Sequence, residues 1–108
     1  MPINMDDNNN INAHLELSGF KSVDSASMLM VRRVVDGSVK KFIENVNDFE
    51  RLRVTLKEIH GTEKSVKYQV IANLIVGKNV ESVETVDRNL LFALDSAMKK
   101  LEAIAGKL

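Results

Sequence analysis

The sequence predicts an α+β fold: a two-layer β-α-β-β-β-α sandwich in which a four-stranded mixed sheet carries both helices on one face. Three observations lead there. Apolar residues recur every three or four positions in two segments, they alternate in the remaining segments, and each helical segment carries one apolar stripe. Two single-stripe helices are buried by one sheet face, which leaves the other face in water.

The segment Met1 to Ala13 holds one Pro, five Asn and two Asp, with Ile3, Met5 and Ile11 in no period, and is expected to be a disordered lead-in over residues 1–13. One domain is expected over 14–108. From His14, the alternation Leu15, Glu16, Leu17, Ser18 reads as a half-buried strand ending at Gly19. Asp24 or Ser25 caps a helix whose stripe is Met28, Val31, Val35, Val39, Phe42 and Val46, with Arg33, Gly37, Lys40 and Glu44 on the solvent side. Phe49 to Ile59 alternates again, with Leu52, Val54 and Leu56 facing one way and Arg51, Arg53, Thr55 and Lys57 the other.

His60 to Lys64 supplies a turn, and Ser65 to Val76 forms a second long strand whose inner face is Val66, Tyr68, Val70, Ala72, Leu74 and Val76. Gly77-Lys78-Asn79 reads as a hairpin turn, and Val80 to Val86 as an edge strand whose charges discourage stray pairing. Asp87 is the expected cap of a closing helix with the stripe Leu90, Leu91, Leu94, Met98 and Leu101. Lys99, Lys100 and Lys107 then sit toward the end that the helix dipole favours for cations. A crossover through the first helix makes strands one and two parallel, and the two hairpins make the others antiparallel.

Composition removes several function classes. With 108 residues, 44% hydrophobic and 28% charged, the chain has the size and balance of one domain. The absence of cysteine excludes disulfides, thiol nucleophiles and cysteine metal ligands. No apolar run approaches the roughly 20 residues that span a bilayer, and no secretory signal pattern opens the chain, so a cytoplasmic protein without a membrane partner is expected. His14 and His60 have no metal-site spacing, so no metal or other cofactor is expected. Glu81 and Glu84 have no pocket-forming sequence around them, and no glycine-rich phosphate loop occurs, so neither an enzyme nor a small-molecule substrate is expected. A net charge of +0 excludes coating a polyanion by bulk charge, and 5% aromatics supply few stacking platforms.

Element order and residues together resemble the ribosome hibernation-promoting factor family, also called ribosome-associated inhibitors, in its short single-domain form. The resemblance covers about His14 to Leu108. It rests on Leu-Glu-Leu-Ser-Gly (15–19), on Val31-Arg32, Val35, Val39 and Lys41-Phe42, on Leu-Arg-Val-Thr-Leu-Lys (52–57), and on Asn89, Ala93-Leu94-Asp95 and Lys100-Leu101. Asn89 stands where the family has an acidic residue, and Glu44, Asp48 and Glu102 dilute the basic character that members of that family have on the rRNA-facing side. The resemblance implies a monomeric stress-response factor that binds rRNA of the small ribosomal subunit in the decoding channel, excludes mRNA and tRNA, and makes or breaks no bond. Phosphate neutralisation would fall to Arg32, Lys40, Lys41, Lys99 and Lys100. For Arg32, Lys40 and Lys41 the alternative is a solvated helix face with Asp36 and Glu44 as partners, and for Lys99 and Lys100 it is the helix dipole.

Strand alternation independently gathers Arg51, Arg53, Lys57 and Lys67 on the open sheet face, a secondary basic surface. Two other readings compete. A double-stranded RNA-binding module shares three antiparallel strands and a following helix but begins with a helix, and a protein-interaction domain would use Ile71 and Ile75 on the open face.

Overall fold

The computed structural model describes residues 11–61 and 65–108. Its elements are β1 (Leu15–Ser18), α1 (Ser25–Asn45), β2 (Phe49–His60), β3 (Val66–Val76), β4 (Asn79–Asp87) and α2 (Leu90–Ala105). The strands form one sheet in the order β1-β2-β3-β4. Parallel neighbours need a long crossover, and α1 supplies it between β1 and β2, whereas the later strands join as antiparallel hairpins. The α+β sandwich expected from the sequence is the observed architecture.

Each boundary has a local cause. Asp24 takes an extended backbone, and its carboxylate accepts the Ser27 N–H at 3.1 Å, which caps α1. After α1, Asp48 turns the chain with φ at 62°, and its carbonyl accepts the Gly77 N–H at 2.8 Å. Asp is among the few side chains that visit this left-handed region. Gly19 ends β1 with φ at 84°, and a Cβ there would lie 2.1 Å from the carbonyl oxygen of Leu56. Only glycine lets β1 leave the sheet so close to β2.

The sheet face opposite the water buries Leu52, Val54, Leu56, Val70, Ala72 and Leu74 in one cluster with Val31, Val35, Val39 and Phe42 of α1 and Leu94, Met98 and Leu101 of α2. Both stripes therefore cover the same face. A link between the helices complements this packing: the buried Ser38 hydroxyl donates to Glu102 Oε2 at 2.9 Å, and Lys41 reaches Oε1 of the same carboxylate at 3.2 Å.

Three local expectations change. The cap of α2 is Asn89, which accepts the Phe92 N–H at 2.9 Å, and not Asp87. Asp87 still pairs with Tyr68 in the sheet, and its carboxylate accepts the Asn89 N–H at 2.8 Å. The strand thus runs past the residue assigned as cap, and Asn caps a helix as well as Asp does. The dipole account of Lys99 and Lys100 also falls, because no basic residue lies in the last turn of α2.

The lead-in expected over 1–13 lies, for residues 1–10, outside the described residues. Ile11 to Ala13 are helical, however, and Ile11 is 5% exposed within the core cluster. The His14 N–H donates to the Ile11 carbonyl at 3.0 Å, and the His14 carbonyl accepts the Leu52 N–H at 2.8 Å, so this turn is tied directly to β2.

Candidate nucleic-acid interface

The five cations singled out on the helices lie across the whole outer surface of the helical layer. Arg32 and Lys41 are nine residues apart, and at about 100° per residue they point to opposite flanks of α1. On one flank the Arg32 guanidinium donates to Asn12 Oδ1 at 3.0 Å and lies 3.6 Å from Asp36. On the other, Lys41 faces α2 and pairs with Glu102. Lys40 stands on the exposed crest between them.

On α2, Lys99 pairs with Asp95 at 3.0 Å. Lys100 lies on the far side, beside Glu84, Asp87 and Ser96 at the β4 edge of the sheet. Among the described residues neither Lys40 nor Lys100 has an ion-pair partner. The expected pairing of Arg32 with Asp36 is present, while Lys41 bonds across to Glu102 and not along its own helix to Glu44. A groove of about 190 Å³ runs between the helices, walled by Val34, Gly37, Lys41, Asp95, Lys99 and Glu102. Its two cations are matched by two carboxylates, so the groove is close to neutral.

The open sheet face departs from the four-cation patch read from alternation. Glu16 of β1 is in register with Arg53 and reaches both arginines, at 3.2 Å from Arg53 and 3.6 Å from Arg51. Lys57 and Lys67 remain without ion pairs among the described residues. Toward β4 the same face is mixed: Ile71 and Ile75 are half-buried and Val80 and Val86 exposed, with the exposed Glu84 in register with Ile71. The sequence hides Glu16 because its approach to Arg53 depends on a parallel pairing between strands far apart in the chain.

Among the described residues, the carboxylates and histidines singled out in the sequence do not converge. Glu81 and Glu84 are three residues apart on one strand and so point to opposite faces of the sheet. His14 is an anchor: its Nδ1 lies 2.7 Å from the Glu50 carbonyl, and its ring stacks on Phe49 with centroids 5.3 Å apart. His60 is exposed, 3.9 Å from Glu58. Among the described residues no group of three or more metal-ligating side chains converges, and no helix is long and apolar enough to cross a membrane. The Asp24 carboxyl is held below the usual carboxylate range by hydrogen bonds from the side chain and then the backbone of Ser27.

No family model matches the chain, and no curated protein matches it. Solved structures do. One is a ribosomal subunit interface protein from Coxiella burnetii, 14% identical, with a TM-score of 0.57 over 87% of this chain and 94% of that one. Another is the N-terminal domain of Protein Y from Thermus thermophilus, 17% identical, with a TM-score of 0.57 over 86% of this chain and 93% of that one. At these identities the likeness is one of fold, and it spans nearly the whole of each chain.

Proposed function

We propose that this protein binds the small ribosomal subunit and occupies its decoding channel, excluding mRNA and tRNA without catalysing a reaction. The observation that carries the reading is the fold likeness to a ribosomal subunit interface protein over 87% of the chain. The segments 15–19, 31–42, 52–57 and 89–101, which resemble the hibernation-promoting factor family, fall on β1, α1, β2 and most of α2 with its cap. Likeness of fold and the residues in these segments support the same reading.

The physical mechanism follows from the helical layer. Irregular RNA is recognised through shape and backbone, so a rigid surface that carries separated cations suits it better than a flexible basic tail. Arg32, Lys40, Lys41, Lys99 and Lys100 would each neutralise a phosphate and release counterions. The Lys99–Asp95 pair is exposed on both sides, and such a pair contributes at most about 1 kcal/mol, so a phosphate can replace that carboxylate at little cost, whereas Asp36 and Glu102, the partners of Arg32 and Lys41, are half-buried. Zero net charge limits the long-range attraction and leaves local fit to set affinity. Such a partner would place the protein in the cytoplasm.

Competition tests the mechanism. Small subunits loaded with mRNA and P-site tRNA should exclude the protein, and the protein should inhibit translation in a purified system at concentrations that saturate the subunits. Simultaneous binding of protein and tRNA would sink the decoding-channel assignment.

A further inference from the structure

Three exposed positions line up along the outer crest of α1: Arg33, Gly37 and Lys40. At about 100° and 1.5 Å per residue they fall within about 60° of one another and span about 10 Å. Among the described residues neither Arg33 nor Lys40 has an ion pair, while Arg32 and Lys41 beside them are engaged with Asp36 and Glu102. On this crest Arg33 and Lys40 thus carry charge without an ion pair, Glu44 follows Lys40 by one turn, and Gly37 also walls the near-neutral groove toward α2.

Gly37 has no explanation within the fold. It lies inside a 21-residue helix, it is not among the residues with positive φ, and a Cβ built on it would meet nothing within 4 Å. Glycine inside a helix is destabilising relative to alanine, and nothing in the packing offsets that. What glycine supplies at this point is clearance: between two free cations the helix backbone is bare, and another chain can approach it closely.

We propose that a single RNA strand crosses α1 at Gly37, its sugar–phosphate backbone lying against the bare helix with phosphates held by Arg33 on one side and Lys40 on the other. This rests on the ribosome-binding function and names where the RNA runs and why a glycine stands there. Charge complementarity selects the occupant, since two unpaired cations flanking an uncovered backbone match a chain with regularly spaced anions.

The test uses purified small ribosomal subunits and the full chain. Gly37→Ala should raise the melting temperature by a few degrees and leave binding within about twofold. Gly37→Leu should melt no lower than the parent yet bind at least tenfold more weakly, because its side chain fills the crossing point. Arg33→Ala and Lys40→Ala should each reduce the slope of log affinity against log salt by about 0.7. Since the chain has no cysteine, Glu44→Cys carries one iron chelate on the same crest, and hydroxyl radicals from it should cut a single stretch of the subunit's RNA. Parent-like binding by Gly37→Leu overturns the inference, as does binding without RNA cleavage, which would mean an acidic protein surface as the partner. If the parent itself does not bind subunits, the proposed function fails and this inference with it, a result distinct from the other two.

Discussion

Ile11 shows how one residue changes the extent of a domain. It sits among asparagines and fits no period, so nothing local marks it as core, yet it packs against the cluster and its carbonyl is tied to β2 through His14. Ile11→Ala should therefore lower stability by about 2–3 kcal/mol, as measured by denaturant unfolding, in the lower part of the range for a buried Ile→Ala change. An unchanged midpoint would return Ile11 to the lead-in. Asp24 gives a second check at this scale. Its folded-state pKa is depressed by Ser27, so its contribution is present above the unfolded carboxyl pKa and is lost as pH falls through the folded value. The melting-temperature difference between the parent and Asp24→Ala should be full at neutral pH and shrink in acid, below about pH 4. A difference independent of pH would mean that the carboxylate charge takes no part in the cap.

Elements were legible in proportion to how local their causes are. The stripe of α1 and the alternation of β2 and β3 each lie within a few turns or steps of chain, and the structure has them where the pattern puts them. The start of α2 was harder, because whether Asp87 belongs to strand or cap depends on its pairing with Tyr68. The candidate surfaces were harder still. Alternation places Arg51 and Arg53 on one face, but only the sheet order brings Glu16 beside them, and only the packing of the two helices joins Lys41 and Ser38 to Glu102. Charge partners lie across elements, while period and propensity act along one. Leu94 tests the element reading most simply. It is fully buried under the sheet, so Leu94→Asp places an unpaired charge in the core and should abolish the cooperative melting transition or lower it by well over 10 °C. A parent-like transition would contradict the packing of α2.

At the scale of the whole molecule, the chain is neutral in sum and uneven in distribution. The sheet face holds two arginines on one glutamate, with Lys57 and Lys67 without ion pairs among the described residues, whereas the helical layer offers Arg33, Lys40 and Lys100 without ion pairs among the described residues and three further cations paired with Asp36, Glu102 and Asp95. The proposed phosphate-binding surface is this helical layer. Its most direct test is affinity for small ribosomal subunits across a salt series, for the parent, for Lys40, Lys41, Lys99 and Lys100 replaced together by Ala, and for Arg51, Arg53, Lys57 and Lys67 replaced together by Ala. Parent affinity should fall steeply with salt, with a slope reduced in the helix variant by about 0.7 to 0.9 for each phosphate that is no longer neutralised. The sheet variant should keep the parent slope. Absence of salt-sensitive binding by the parent, or weakened binding in the sheet variant with the helix variant unaffected, would contradict this assignment.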